Sequence, residues 1–330
     1  MGRRLMYICV FTQIVFSMIL SPQLSSRPLI TGDTQLCSMA YDILAEYERL
    51  GFPMPSKRVL IQFCNRSSVI PEGYHAVLQV TSYEYLIYVK PDNGIDYRIC
   101  LAHELFHIIQ YEYGYLHWAF TQSKKYDDMH MWITEGMTTA VAYLINDEEP
   151  RRYVNKYIYR LQSLFKKDYE ASVFWWFIIE YYGWDFIRSF YENFNYNNWL
   201  NYTLNKCNMT WNTLVFAMWT LNKGLYEPHN PSRYNYHSMG AYSFIIYNMT
   251  GYHSCEVHQV GNATITVLYI VKYGDVYTPI YVEKTHPGGN VIEYPPFFMR
   301  TLMLHPRQWY LAFINMPENI NQTVRFTLRV

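Results

Sequence analysis

The spacing of apolar residues changes near residue 228, and that change restricts the folds that the chain can adopt. Between residues 97 and 225 the spacing is mostly helical, so this stretch is predicted to form a set of helices. After residue 228, strand-like runs are separated by Gly, Pro and Asn. That pattern is typical of an all-β sandwich of roughly 100 residues. The chain is therefore predicted to join a mainly helical domain to a C-terminal β-sandwich.

The segment before residue 97 adds one helix and a small sheet. Residues 34–50 carry apolar side chains at helical spacing, and Gly51 with the two prolines that follow ends this helix. Three β-rich runs then lie between Pro, Gly and Asn residues, at 59–63, 76–80 and 85–89. The fold class predicted for the whole chain is α+β, with a small N-terminal β-sheet, a helical centre and a C-terminal sandwich.

The composition excludes several classes of protein. Half of the 330 residues are hydrophobic and only 16% are charged, which rules out a disordered chain, a coiled coil and a collagen-like fibre. Lys and Arg together number 27, as do Asp and Glu, and no basic stripe stands out. A nucleic-acid partner is therefore not expected.

The first 26 residues have the three parts of a secretory signal peptide. Arg3 and Arg4 precede an uncharged, mostly apolar run at residues 7–20, and a small, polar stretch follows it. The alternative interpretation is an uncleaved membrane anchor. Such an anchor needs about 20 apolar residues, and this run is shorter. No later segment reaches about 18 uncharged apolar residues. We therefore expect cleavage between Ser25 and Thr31, and a secreted or cell-surface mature protein without a membrane span.

Two further features agree with export. Sequons for N-glycosylation occur at Asn65, Asn201, Asn208, Asn248, Asn262 and Asn321. Once Cys9 leaves with the signal peptide, five cysteines remain, and an odd number leaves at least one thiol free or in an intermolecular bridge. The pairs that we expect are Cys37 with Cys64 and Cys207 with Cys255, which leaves Cys100 as a buried thiol.

The chemistry of the chain is concentrated in His103-Glu104-x-x-His107, at the start of the helical block. A step of four residues puts the two histidines one turn apart on one helix face, so their imidazoles can bind one zinc ion. Glu104 lies about 100° further round the helix. From there its carboxylate could take a proton from water and return it to a leaving amine. Because the flanking residues are apolar, the helix is expected to be buried, and a buried ionisable trio calls for a partner such as a metal ion.

A catalytic zinc site needs a third protein ligand and keeps its fourth position for water. Glu135 is the preferred candidate, because it lies in an apolar segment at 131–145 where an unpaired carboxylate is costly to bury. The alternative explanation for Glu135 is an interaction with the positive end of its own helix, worth under about 1 kcal/mol. Other candidate ligands lie in the polar stretch between the two helices: His117, Asp127, Asp128 and His130.

Together, His103-Glu-x-x-His107 and Trp132-x-x-Glu135-Gly136 resemble the gluzincin metallopeptidases of the thermolysin-like clan. Within that clan, the pattern most resembles a group of secreted bacterial and archaeal metalloproteases. The resemblance covers residues 34–225, and a terminal β domain is usual in the group. It implies zinc held by His103, His107 and Glu135, with Glu104 as the catalytic base. It also implies a zincin-like catalytic domain over residues 27–228, between the signal peptide at 1–26 and the sandwich at 229–330.

The sequence departs from the thermolysin pattern in three places. The spacing from His107 to Glu135 (135 − 107 = 28) is longer than in thermolysin. Thr139 stands where thermolysin-like enzymes often have an acidic residue, and the Gly-x-Met-Glu-Asn signature of the related aminopeptidases is absent, so exopeptidase activity has no support. Gluzincins usually stabilise the oxyanion with a downstream Tyr or His. The candidates, among which the sequence does not choose, are Tyr143, Tyr234, Tyr236 and His237.

Two functions from different classes are consistent with these features. The first is a secreted zinc-dependent endopeptidase that hydrolyses proteins or peptides. The alternative is a catalytically silent, glycosylated surface binding or adhesion protein that retains the metallopeptidase fold. The intact set of His103, Glu104, His107 and Glu135 favours the endopeptidase, because a silent protein has no chemical need for Glu104.

Overall fold

The computed structural model describes residues 28–330, with gaps at 93, 95, 127–128, 251, 253–254, 261–263, 285–290, 295–307 and 317–322. Several sequence predictions lie outside these described residues: the signal peptide, the sequons at Asn262 and Asn321, and the alternative ligands Asp127 and Asp128. Over the described part of the chain, every helix is too short or too polar to cross a membrane.

The predicted α+β class is confirmed, with helices in the middle of the chain and strands dominating its C-terminal region. The helices are α1 (Thr34–Arg49), α2 (Tyr97–Glu112), α3 (Tyr115–Tyr126), α4 (Met131–Leu144), α5 (Val154–Tyr159), α6 (Ser172–Tyr182), α7 (Trp184–Glu192), α8 (Trp199–Lys206) and α9 (Met209–Asn222). The strands are β1 (Ile30–Gly32), β2 (Arg58–Phe63), β3 (Ala76–Val80), β4 (Glu84–Val89), β5 (Tyr234–Met239), β6 (Phe244–Asn248), β7 (Cys255–Val260), β8 (Ile265–Tyr273), β9 (Val276–Lys284), β10 (Val291–Tyr294), β11 (Trp309–Asn315) and β12 (Val324–Arg329).

The small N-terminal sheet has the strand order β1-β2-β4-β3. Its first three members run parallel, and β3 pairs antiparallel with β4. The three strands expected from the sequence are present, and the short β1 extends the sheet by one strand that was not predicted. Alternate residues of β4 are buried, as expected for a strand covered on one face. Helix α1 packs on α2, and α2 packs on β3 and β4, so the sheet supports the helix that carries both histidines.

The C-terminal strands form two antiparallel four-stranded sheets, in the orders β10-β7-β12-β5 and β6-β11-β8-β9. Residues of both sheets share one hydrophobic core. Phe313 of β11 and Phe326 of β12 meet there, with ring centroids 4.9 Å apart. This arrangement is the predicted sandwich, in which side chains from two inner faces interdigitate.

The described residues cluster into two compact units. The first contains the described residues as far as Gln122, together with Met137–Pro150 and Ile179–Asn193. The second contains Ser123–Gly136, Arg151–Ile178 and Phe194–Val330. Within the second unit, α9 packs on β9 and β11 of the sandwich. Compactness thus groups several central helices with the C-terminal strands.

Neither of the disulfides expected from the sequence is formed, since Cys37, Cys64, Cys207 and Cys255 are all free thiols. Cys255 belongs to the hydrophobic core of the sandwich, and Cys207 does not. Burial raises the pKa of the Cys255 thiol to about 12, and burial also raises the pKa of the Cys207 thiol. Both side chains therefore stay protonated at neutral pH and act as small apolar residues. Cys100 is half-buried rather than buried.

Candidate metal centre

Helix α2 carries the two histidines along a largely buried length. Asp96 caps its first turn, because its carboxylate accepts hydrogen bonds from the backbone N–H groups of Arg98 and Ile99. The Tyr47 hydroxyl of α1 donates a 2.8 Å hydrogen bond to the Ala102 carbonyl, next to the first histidine. These contacts fix the helix at both its start and its centre.

His103 and His107 face each other as the four-residue step predicts. Their Nε2 atoms are 3.1 Å apart, and their rings meet edge to face with centroids 4.7 Å apart. His103 is half-buried, whereas only 8% of the His107 surface is exposed. Glu104, between them in sequence, is also only 8% exposed. The expected buried cluster of ionisable side chains on α2 is therefore present.

Glu135 of α4 completes a group of three side chains that could hold a metal ion. One ligand atom from each of His103, His107 and Glu135 lies within 4.8 Å of the other two. The structure thus brings together the three residues chosen from the sequence. Of the alternative ligands that the structure describes, neither His117, which is exposed, nor His130, which is buried, belongs to this group.

The helix-terminus explanation for Glu135 does not fit the observed helix. Helix α4 begins at Met131, so Glu135 is beyond its first turn. The electrostatic effect of a helix terminus falls off within that turn. Glu135 is only 5% exposed, and its position is accounted for by the cluster with His103 and His107.

Trp132 and Gly136, the flanking residues of the Trp-x-x-Glu-Gly motif, hold the start of α4 in place. The Trp132 ring stacks on Trp175, with centroids 5.3 Å apart, and Trp175 Nε1 donates to the Trp132 carbonyl at 2.7 Å. A Cβ atom on Gly136 would lie only 2.6 Å from Cβ of Ala171 and 3.0 Å from the carbonyl oxygen of Asp168. Only glycine allows this close approach, so both flanking residues position the turn that bears Glu135.

Each histidine has a hydrogen-bond partner on its second ring nitrogen. Thr139 Oγ1 lies 3.4 Å from Nδ1 of His103, and Gln110 Oε1 lies 2.8 Å from Nδ1 of His107. Gln110 Nε2 donates in turn to the Tyr191 hydroxyl at 2.7 Å. Gln110 lies three residues after His107 on the same helix, and the sequence carries no corresponding signal for Tyr191.

The spacing of the two histidines fits one bound metal ion, such as zinc. Zinc–nitrogen bonds of about 2.0–2.1 Å in a tetrahedral site place two imidazole nitrogens about 3.3 Å apart, close to the 3.1 Å between the Nε2 atoms of His103 and His107. Histidines that bind metals usually donate the other ring N–H to a fixed acceptor, and His107 has such an acceptor in Gln110. Two imidazoles and one carboxylate are a ligand set of catalytic zinc sites.

The oxyanion candidates that the structure describes lie in different surroundings. Tyr143 of α4 is buried, and Tyr236 of β5 is 62% exposed. His237 of β5 hydrogen-bonds through Nε2 to the hydroxyl of Tyr247 on β6, in the other sheet of the sandwich. Burial lowers the pKa of His237 to about 4, with a smaller contribution from His229. His237 is thus engaged within the sandwich. The side chain of Tyr234 is outside the described part of the structure.

The described sequon asparagines differ in exposure. Asn65, Asn201 and Asn208 are exposed. Asn248 is half-buried, and its side-chain oxygen accepts a 3.0 Å hydrogen bond from the backbone N–H of Thr250. Three of the four described positions therefore present their side chains to solvent.

Comparisons with known proteins assign no family to the chain. No protein-family model matches it, and no curated protein matches it. Among solved structures, a crystal structure of PirA aligns with 31% of this chain and 95% of that chain, at 10% identity and a TM-score of 0.22. A similarity of that size carries no argument about fold or function. The candidate metal centre therefore rests on its own geometry.

Proposed function

We propose that this chain is a secreted zinc-dependent endopeptidase. The observation that carries the proposal is the cluster of His103, His107 and Glu135, whose ligand atoms lie within 4.8 Å of one another. These three residues would hold the zinc ion, and a three-ligand set of this kind keeps a fourth position open for reaction. Glu104 follows the first ligand directly in α2 and supplies the carboxylate that the reaction needs.

The proposed reaction is the addition of water to a peptide carbonyl. A zinc ion bound by the three ligands would act as a Lewis acid on the water and on the carbonyl oxygen. The Glu104 carboxylate accepts one proton from the water as the new C–O bond forms. It donates that proton to the amide nitrogen as the C–N bond breaks, which releases the amine. Glu104 thus ends each cycle ionised, as it began.

Two further parts of the proposal rest on the sequence and on exposure. The Gly-x-Met-Glu-Asn signature of related aminopeptidases is absent, which favours cleavage within a chain over removal of terminal residues. Secretion is proposed from the character of the first 26 residues and from the sequons, of which Asn65, Asn201 and Asn208 are exposed. The proposed substrates are accordingly proteins or peptides outside the cytoplasm.

The experiment that tests this proposal combines metal analysis with a cleavage assay. The full mature chain is purified without added metal, its zinc content is measured, and it is incubated with a library of internally quenched peptides. We expect about one zinc ion per chain, and cleavage that a chelator abolishes and added zinc restores. Zinc binding without cleavage of any peptide would favour the catalytically silent binding protein. A chain that binds no zinc at neutral pH would overturn the proposal.

A further inference from the structure

A buried line of hydrogen bonds leads from His107 to Tyr191, 84 positions later in the sequence (191 − 107 = 84). Nδ1 of His107 lies 2.8 Å from Oε1 of Gln110, and Nε2 of Gln110 lies 2.7 Å from the Tyr191 hydroxyl. Gln110 is fully buried, and only 2% of the Tyr191 surface is exposed. Water therefore has little access to these two hydrogen bonds.

The Gln110 amide NH2 group donates to the Tyr191 hydroxyl, and this hydrogen bond goes with the orientation in which the amide oxygen faces His107. A carbonyl oxygen only accepts hydrogen bonds, so Nδ1 of His107 must carry the ring hydrogen. In the neutral imidazole, Nε2 then bears the lone pair, and Nε2 is the atom that faces His103 at 3.1 Å. The line of hydrogen bonds thus selects the tautomer that can bind a metal through Nε2.

Aromatic rings hold the Tyr191 hydroxyl in place. The Tyr191 ring stacks on Tyr113, with centroids 5.5 Å apart and planes 17° apart. Tyr115 and Phe190 meet it edge to face, at 5.2 and 5.3 Å. Burial also raises the pKa of Tyr191 well above its ordinary value, so the hydroxyl stays neutral at physiological pH. The group at the end of the line therefore has a fixed position and charge.

The contact between His103 and Thr139 is of a different kind. Thr139 Oγ1 lies 3.4 Å from Nδ1 of His103, and a hydroxyl can either donate or accept, so this contact suits either tautomer of His103. The amide oxygen of Gln110 suits only one tautomer of His107.

We infer that Tyr191, acting through Gln110, is a positioning residue that holds His107 in the tautomer with a free Nε2 lone pair before the metal binds. This inference rests on the proposed function, since it concerns the same metal centre. Both residues are buried, so their effect should be seen in metal affinity and in the tautomer of His107.

The test replaces Tyr191 with Phe, which removes one hydroxyl and keeps the aromatic packing. Zinc affinity is measured on the full chain by competition with a chromophoric chelator. The ring-nitrogen chemical shifts of His107 are recorded by ¹⁵N NMR on metal-free protein. We expect a zinc affinity about two- to tenfold weaker, the equivalent of one hydrogen bond. We also expect a change from the single Nδ1–H tautomer in the parent to a mixture in Tyr191→Phe.

Tyr47→Phe is the matched control, because it removes an equally buried hydroxyl that bonds to α2 at the Ala102 carbonyl. It should lower stability without changing the tautomer of His107 or its zinc affinity. An unchanged tautomer and full zinc affinity in Tyr191→Phe would overturn the inference while leaving the proposed function intact. Failure of the parent to bind zinc would overturn the proposed function, and the inference with it.

A second variant gives an independent measure. In Gln110→Glu, both side-chain oxygens at position 110 are acceptors, so either can take the Nδ1 hydrogen of His107 whatever Tyr191 does. Tyr191→Phe should therefore have little further effect on zinc affinity in the Gln110→Glu background. An equal loss in both backgrounds would mean that the Tyr191 hydroxyl affects zinc affinity by a route other than the side chain at position 110, and would contradict the positioning role.

Discussion

Thr139 Oγ1 lies 3.4 Å from Nδ1 of His103, one helical turn after Glu135 on α4. One helix therefore supplies both a candidate metal ligand and the hydroxyl beside a second candidate ligand. This contact of a neutral group with His103 leads to the first prediction.

Thr139→Val should weaken zinc binding without unfolding the chain. Valine has nearly the shape of threonine and lacks the hydroxyl that lies against His103. Loss of an outer hydrogen-bond partner usually costs about 10- to 100-fold in metal affinity, and the long 3.4 Å contact places the expected loss at about tenfold. Zinc titration against a competing chelator measures it.

Thr134→Val is the control for this change. The Thr134 hydroxyl is equally buried, and it donates a 3.3 Å hydrogen bond to the carbonyl of His130, four residues earlier in the chain. It should leave zinc affinity unchanged. Equal losses in the two variants would show that the effect comes from the stability of α4 and not from the contact with His103.

Gly136→Ala should destabilise the protein. The added Cβ would lie 2.6 Å from Cβ of Ala171, which forces the packed backbone apart. Overpacking of this kind costs about 1–3 kcal/mol, offset by up to about 1 kcal/mol from the better helix propensity of alanine. We expect a net loss of about 1–2 kcal/mol in the free energy of unfolding, measured by chemical denaturation. Gly94→Ala, where the nearest atom would be 3.7 Å away, should cost much less, and an equal cost would contradict this explanation.

The parts of the site that depend on local sequence could be predicted. The step from His103 to His107 is one helical turn, so their proximity follows from helix geometry alone. Glu135 was chosen because a carboxylate in an apolar helix calls for a partner, and the structure places it with the two histidines. The α+β class followed from the change in apolar spacing near residue 228.

The missed features depend on residues that are distant in sequence. Tyr191 reaches Gln110 across 81 positions, and no local pattern marks one tyrosine among 34 for that role. Strand β1 has only three residues and is defined by its parallel pairing with β2. Three residues are too few to show the alternation of apolar and polar side chains by which a strand is predicted. The expected disulfides were inferred from cysteine number alone, which carries no information about distance.

Stability should decrease as the pH falls from about 6.5 towards about 4, partly because of His237. Burial lowers the pKa of this half-buried imidazole to about 4, below the ordinary value of about 6.5 that it regains on unfolding. Between these values the unfolded chain binds more protons than the folded one, so acidification favours unfolding. The groups around the ring are Tyr247, Phe326 and His229.

Urea unfolding across this pH range measures the effect. His237→Gln keeps a hydrogen-bond acceptor for Tyr247 and removes the titrating ring, so its stability should fall less steeply with decreasing pH. His75→Gln, at an exposed histidine, serves as the control and should retain the slope of the parent. A slope in His237→Gln equal to that of the parent would rule out this histidine as a source of the acid sensitivity.

The most direct test of the proposed function separates the base from the ligands, by measuring zinc stoichiometry and peptide cleavage on the same preparations of Glu104→Gln and Glu135→Ala. Glu104→Gln should keep the zinc ion and lose about 10²–10⁴-fold in cleavage rate, because the amide cannot carry the proton. Glu135→Ala should lose zinc and activity together, as should His103→Ala and His107→Ala, since each removes a ligand. If Glu135→Ala binds zinc as tightly as the parent and still cleaves, the third ligand lies elsewhere. If Glu104→Gln remains fully active, the proposed mechanism is wrong.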